Sequence, residues 1–494
     1  MNELIASSAV DYYAELIRAD YNVPGLALAI VKDDTILLAK GYGVCKMGGK
    51  KPVNAGTRFG IASISKSFTA MALGMLVDEG KLDWSDPVTK HIPSFQLQDA
   101  YASREFTIRD LLVHRSGLPT VAGGTLWYGS KLSRDQVMAG IRHLKPVSSF
   151  RSEYAYQNIT YLIAGQIIPA LTGRSWDDFV RERIFAPLGM HHSNTSIHAE
   201  DKSGNIAQAH VDVDEDQRTV ALRDYDNVGP AASINTTALD LSAYARLLLN
   251  NGRFAGRQLY SPQIGADLWT PHTVIPIARD SPTAYAPFMP RYHNAYGLGW
   301  VIQDIPGRWQ KKVFHSGGID GLRSLLTLLP DENLGIIVFA NNEGPAPAIM
   351  TQLILDLYWG ESESAWYSPA LQERKQESEK QEKEVRKEKV NGTMPSLSLE
   401  RYAGSYHSKL IRDLTLIFEQ GQLTLCFPQT PSFKACLSHW HYDTFRLQWH
   451  DPLLPEGLVT FILDAQGRIS ELRLDQPNLL DVDFSELHPI KRKL

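Results

Sequence analysis

The sequence predicts an α+β unit, a mainly antiparallel sheet with a helical lobe between its first and last strands, followed by a small all-β unit. Three observations carry this. Strand-like runs open and close the first 360 residues with helix-patterned runs between them, a highly charged segment follows, and residues 397–494 are short β-rich runs separated by turn signals. A chain of 494 residues has room for about two to four domains. Its 43% hydrophobic and 21% charged content is ordinary for a globular protein.

The first elements are Leu26 to Val31 and Thr35 to Lys40, joined by Lys32-Asp33-Asp34 as a hairpin turn. Helical periodicity then marks Ser67 to Glu79, Ile108 to Val113, Ile159 to Leu171, Trp176 to Ile184 and Ala238 to Leu249. Pro169 is expected to interrupt the third of these, because proline lacks the N–H that an interior helical residue donates. Two strands return at Leu322 to Leu329 and Leu334 to Ala340 around Pro330-Asp331-Glu332-Asn333. A ligand would sit in the cleft between sheet and lobe. Glu373 to Lys389 interleaves both signs of charge around a single apolar residue, Val385, so it has no face to bury and reads as a solvated connector. The predicted organisation is a unit over 1–360, a charged linker over 361–396 and a β unit over 397–494. The β unit holds strands at Leu414 to Phe418, Leu423 to Phe427, Thr444 to Trp449, Leu458 to Leu463 and Ile469 to Leu474.

Composition excludes several functions. A net charge of −5 offers no general attraction to nucleic acid or anionic membranes. No apolar run reaches the roughly 18 residues a membrane span needs. Cys45, Cys426 and Cys436 are too sparse for a disulfide framework and lack zinc-ligand spacing, and Cys426 and Cys436 read as buried free thiols. The N-terminal residues lack a basic and an apolar region, so a cytoplasmic location is expected. GxSxG, Walker, complete GxGxxG and HExxH motifs are absent. No metal or cofactor is expected.

The informative segment is Phe59-Gly60-Ile61-Ala62-Ser63-Ile64-Ser65-Lys66-Ser67-Phe68. Ser63 and Lys66 are three apart at the start of an apolar-periodic helix, so both lie on one face. A serine hydroxyl attacks only when a base takes its proton, and a desolvated lysine can be that base. Alone, the pair also fits a helix cap with a surface lysine. Two later segments add to it. Tyr154-Ala155-Tyr156-Gln157-Asn158 puts Tyr156 and Asn158 just ahead of a helix, and Val313-Phe314-His315-Ser316-Gly317-Gly318 is a strand running into paired glycines that permit close backbone approach.

In this order, SxxK, YxN and HxG, the three segments resemble the serine β-lactamase and penicillin-binding-protein superfamily, nearest the branch of class C β-lactamases, DD-carboxypeptidases and D-aminopeptidases. Leu111-Leu112-Val113-His114-Arg115-Ser116-Gly117-Leu118-Pro119 and Tyr296-Gly297-Leu298-Gly299-Trp300 are similar to landmarks of that family, and the resemblance covers roughly residues 10–355. It implies a β-lactamase/transpeptidase-like fold, Ser63 as acylated nucleophile, Lys66 as proton acceptor and Tyr156 as proton shuttle. Asn158 would donate to the substrate's acyl chain, and His315, Ser316, Gly317 and Gly318 would line the opposite wall. The backbone N–H groups of Ser63 and Gly318 would form the oxyanion hole.

Two departures bear on substrate. His315 stands where most β-lactamases carry lysine, which weakens recognition of a β-lactam carboxylate. Pro230-Ala231-Ala232-Ser233 replaces a stretch that is glycine-rich in relatives. The expected activity is therefore hydrolysis of amides or peptides, D-residue peptides included, ahead of ester or weak β-lactam hydrolysis. A catalytically idle scaffold is the alternative of a different class. The expected partner is a small-molecule or peptide substrate, with a homo-oligomer also compatible. Tyr402-Ala403-Gly404-Ser405-Tyr406 and the strands after it resemble the lipocalin-like tail of some such hydrolases.

Overall fold

The computed structural model describes residues 7–199, 204–213, 216–277, 290–361, 366–367, 389–476 and 481–492. Helix α1 (Ser7–Asp20) precedes the hairpin β1 (Gly25–Lys32) and β2 (Thr35–Gly43). The lobe that follows includes α2 (Ser65–Asp78), α3 (Ile159–Thr172) and α4 (Ala238–Leu249). The chain then completes the sheet with β3 (Thr273–Val274), β4 (Asn294–Tyr296), β5 (Val301–Ile305), β6 (Arg308–Ile319), β7 (Leu322–Leu329) and β8 (Leu334–Ala340), and α5 (Ala346–Trp359) follows. Strand order is β2-β1-β8-β7-β6-β5-β4-β3, antiparallel throughout, so the first and last strands of the chain's sheet pair with each other.

Alternation along the central strands builds two cores. Leu26, Leu28 and Ile30 face α1 and α5 together with Ile336 and Val338, whereas Ala27, Ala29, Ile337 and Phe339 face the lobe. Helix α2 is buried on nearly every side: Ser65 through Leu76 are all inaccessible, which is why its sequence is apolar around its whole circumference.

Pro169 does not end α3. The helix runs on to Thr172 and closes at Gly173, whose φ of +69° suits a residue without Cβ. Pro169 lies in the last turn, so only one backbone bond is forfeited, and Ile167 and Ile168, both fully buried, hold the turn in place.

The all-β unit is a closed barrel in sequential order: β9 (Gly404–Ser408), β10 (Arg412–Glu419), β11 (Gln422–Cys426), β12 (Lys434–His441), β13 (Thr444–Trp449), β14 (Gly457–Leu463), β15 (Ile469–Asp475) and β16 (Ile490–Lys491). Its interior is filled by side chains: Tyr402 packs edge-on to Phe445 and Phe461 at 5.1 and 4.8 Å. Cys426 and Cys436 are free thiols as expected, but their burial differs from the expectation. Cys426 pairs with Lys434 and Cys436 with Thr424, and both thiols are half-buried rather than buried. Residues 368–388, most of the charged linker, lie outside the described residues.

The barrel core and the lobe core form one continuous apolar cluster. Phe433 stacks on Tyr128 of the lobe at 6.1 Å, and Arg223 bridges Asp320 of the sheet and Asp451 of the barrel at 2.5 and 2.8 Å. No helix among the described residues is long and apolar enough to cross a membrane.

Candidate active site

Ser63 stands on a tight turn between strand and helix. Phe59 and Gly60 pair with Thr236 and Asn235, and Ile61 N–H donates to Ile234 O at 2.9 Å. Ala62 then takes a left-handed conformation, φ +47°, costly for a residue with Cβ and tolerated here only because the packing around it over-determines the turn. The reversal starts a 3₁₀ turn over Ala62–Ile64 that continues into α2. Ala62 and Ile64 are buried while Ser63 between them reaches the cleft.

Lys66, one turn on, is fully buried. Its Nζ lies 3.0 Å from Ser63 Oγ, 2.5 Å from Asn158 Oδ1 and 3.1 Å from Ala231 O. An ammonium donates three hydrogen bonds and is satisfied by these three oxygens. A neutral amine donates two and turns its lone pair to the third, the hydroxyl. Burial pushes the Lys66 pKa down to about 7, with Asp481 pulling in the opposite direction, so both forms are accessible near neutrality. Pro230-Ala231-Ala232-Ser233 falls on a short helix and turn whose Ala231 carbonyl holds Lys66 and whose Pro230 carbonyl accepts from Thr69 Oγ1 at 2.6 Å.

Tyr156 and Asn158 reach the same point from the stretch before α3. The Tyr156 ring lies 4.7 Å from Lys66 Nζ and packs against the His114 ring at 4.3 Å. Burial holds the Tyr156 phenol far above its ordinary pKa, partly offset by Ser63, so the group stays O–H at neutral pH. Asn158 occupies the N-cap position of α3 but makes no capping bond. Its Oδ1 faces Lys66 and its Nδ2 donates to Asp481 Oδ1 at 2.8 Å.

The opposite wall is β6. Ser316, Gly317 and Gly318 line the cleft, a cavity of ≈ 810 Å³ that Ser63, Tyr156 and Asp481 also line. His315 is 3% exposed. Its Nδ1 lies 2.6 Å from Ser316 O, a pure acceptor, which places the proton on Nδ1 and makes Nε2 the acceptor for Tyr296 O–H at 2.8 Å. Burial, reinforced by Lys66, lowers the His315 pKa to about 3, so the ring is neutral and brings no positive charge to a carboxylate.

Gly317 lets β6 pass against the turn that carries Ser63. A Cβ there would stand 2.1 Å from Ile61 O and 2.3 Å from Ser324 Oγ, so the strand or the turn would have to move. Gly317→Ala is expected to lower kcat/KM by about tenfold or more, since small misplacements of reacting groups are costly. Steady-state kinetics beside a thermal melt separates that loss from global unfolding.

Behind Tyr156, His114 Nδ1 accepts from Gln157 N–H at 3.2 Å, and the next residue, Arg115, belongs to a charge cluster around a buried carboxylate. Asp110, inaccessible to solvent, caps its own helix with Thr107 and pairs with Arg115 at 3.0 Å and Arg151 at 2.6 Å. Burial would raise the Asp110 pKa, but bonds from Arg151 and Thr107 outweigh it and hold it below the ordinary value. The lowered pKa means this stabilisation is present above pH 4 and is lost as pH falls through the folded-state value. Asp110→Ala is expected to cost about 2–3 kcal/mol by removing the carboxylate that caps the helix and accepts from two partly exposed arginines, read by denaturant unfolding at pH 7.

The structure thus brings together Ser63, Lys66, Tyr156, Asn158, His315, Ser316, Gly317 and Gly318, residues that lie up to about 250 positions apart in the chain. Sequence reasoning missed Asp481, the Ala231 carbonyl, and the side chains of His114 and Tyr296 behind the first layer. His114 and Tyr296 fall in quoted family landmarks, a signal that pointed to them without a role. Nothing near Asp481 in the chain marked it.

A family model described as Beta-lactamase matches residues 10–358, and one described as a domain of unknown function (DUF3471) matches residues 388–488. Unguisins hydrolase ungD' of Aspergillus campestris is 26% identical over 448 residues, covering 86% of this chain and 80% of that protein. Protein flp of Staphylococcus aureus is 28% identical over 343 residues, covering 67% of this chain, which spans only 62% of that relative's length. Among solved structures, the octameric penicillin-binding protein homologue from Pyrococcus abyssi matches with a TM-score of 0.64 at 20% identity, over 99% of this chain and 100% of that one.

Proposed function

The chain belongs to the beta-lactamase family, and from that membership we propose that it is a serine hydrolase working through an acyl-enzyme on amide or peptide bonds, those of D-amino-acid peptides included. The observation that carries this is Lys66: a fully buried amine 3.0 Å from Ser63 Oγ, with a pKa brought down to about 7. Structural lysines sit at the surface, ionised. A buried one aimed at a hydroxyl is suited to taking its proton.

In the proposed cycle Lys66 Nζ accepts the Ser63 proton as Oγ bonds to the substrate carbonyl carbon. The N–H groups of Ser63 and Gly318 stabilise the oxyanion. Collapse breaks the C–N bond, with the Tyr156 O–H protonating the leaving nitrogen and regaining a proton from the Lys66 ammonium. Water, activated by the same pair, then attacks the ester and returns Ser63. Asn158 orients Lys66 and has a second amide N–H for the acyl chain, and Ser316 faces the substrate. The neutral His315 supports amides over β-lactams, whose carboxylate needs a cation. A relative named as an unguisins hydrolase and a structural match to a penicillin-binding protein homologue are consistent with acyl transfer. In this scheme residues 1–360 are the catalytic unit, 361–396 a linker and 397–494 an accessory β unit. The octameric match makes a homo-oligomer the assembly to look for by light scattering.

The test is a substrate panel of D-aminoacyl p-nitroanilides, DD-dipeptides, p-nitrophenyl esters and nitrocefin. The amides are expected to turn over with the highest kcat/KM and nitrocefin with the lowest. Nitrocefin ranking first would overturn the substrate assignment, and no turnover of any member would favour an idle scaffold.

A further inference from the structure

Asp481 belongs to the barrel, in the stretch between β15 and β16, yet its carboxylate lies in the catalytic cleft, 323 positions along the chain from the Asn158 that it contacts. The segment that carries it is docked rather than draped. Glu486 accepts from Gly123 N–H at 2.7 Å, from Thr125 N–H at 3.1 Å and from the Thr125 hydroxyl. Val482, Phe484 and Leu487 are each 2% exposed. Gly124 passes so near that a Cβ on it would stand 1.9 Å from Asp481 O. A carboxylate held in a confined cleft is expensive unless something nearby uses it.

Resting on the acyl-enzyme assignment above, we propose that the barrel supplies a positioning residue to the active site: Asp481 locks the Asn158 amide and places a compensating negative charge beside Lys66. The two ends of an asparagine amide are nearly equal in shape, so packing alone does not choose between them. A carboxylate accepts only. By taking Nδ2 at 2.8 Å it turns Oδ1 to Lys66, completing a chain Ser63–Lys66–Asn158–Asp481. With the amide reversed, a donor would face the ammonium.

The charges support the same arrangement. Burial lowers the Lys66 pKa while Asp481 raises it; burial raises the Asp481 pKa to about 6 while Lys66 lowers it. The other groups facing Lys66 are uncharged at neutral pH. Tyr156 and Tyr161 are phenols held well above their ordinary range, and His114 and His315 are imidazoles held below theirs. Asp481 is also faced by Asp320 and Arg323, whose effects oppose each other, and by the neutral phenol of Tyr225. Lys66 and Asp481 therefore titrate as a pair.

The experiment measures kcat/KM for p-nitrophenyl acetate from pH 5 to 10 in the full chain, for wild type, Asp481→Asn, Asp481→Ala and Gly124→Ala. Fluorophosphonate labelling at Ser63 and a thermal melt accompany each. Removing the carboxylate charge lowers the Lys66 pKa, so the acid limb is expected to move to lower pH by about one unit in Asp481→Asn. Asp481→Ala, which also frees the amide, should show that shift and a plateau reduced about tenfold. Gly124→Ala alters no titrating group but pushes the segment aside, and should reproduce the Asp481→Ala profile, which keeps the inference testable where an Asp481 variant fails to fold. Acid limbs coinciding with wild type in all folded variants would overturn it. A wild type that takes no label at Ser63 overturns the acyl-enzyme assignment itself, and this inference with it.

Discussion

Ser63→Ala is expected to abolish covalent labelling and to lower turnover of the best substrate by about 10⁴-fold or more, while leaving the fold intact. Losing a nucleophile is among the costliest single changes in an enzyme, and among the described residues Ser63 is the hydroxyl in the cleft that the Lys66 amine bonds. Its structural cost is small. Ser63 is partly exposed, and its hydroxyl serves Lys66, which keeps Asn158 and Ala231 as acceptors. Far-ultraviolet circular dichroism and the melting temperature should therefore match wild type closely. Full activity in Ser63→Ala would mean that the chemistry runs elsewhere.

Lys66→Met is expected to reduce kcat/KM by about 10³-fold, the scale of a lost general base. It separates base from nucleophile, since Ser63 remains. Wild-type kcat/KM should rise with pH through about 7, as the Lys66 ammonium loses its proton. In Lys66→Met that limb should vanish. Stability carries an independent signature. The folded pKa of about 7 lies below the 10.5 of a free lysine, so between those pH values the unfolded chain binds a proton that the folded chain does not. Stability must rise with pH across that window. Lys66→Met should flatten the rise, which urea unfolding at pH 7 and pH 9.5 measures. A lysine that merely packed would change neither profile.

Much of the fold was legible because its inner strands are short apolar runs bounded by turn residues and its helices keep a helical apolar period. Leu322–Leu329, Leu334–Ala340 and Ala238–Leu249 have the bounds their periodicity predicts. Barrel strands Gly404–Ser408 and Lys434–His441 escaped, because serine, histidine, lysine and cysteine break the apolar alternation. Pro169 misled for the opposite reason: a local rule was overridden by burial in the last turn of a helix. At the site, the motif residues could be read from short spacings, and each short segment carries its own geometry. Asp481 could not. Its role is created by a contact with Asn158 across 323 positions and by the fit of Gly124 against the barrel segment, neither of which leaves a local mark.

In the proposed cycle Ser63 forms an acyl-enzyme with Lys66 as its base. The decisive measurement is intact-mass analysis after reaction with a fluorophosphonate and an activated ester, with the adduct mapped by digestion. The predicted result is a single adduct on Ser63, formed at a rate that rises with pH through about 7 and falls about 10³-fold in Lys66→Met. No adduct on the wild type, or an adduct that persists in Ser63→Ala, would contradict it.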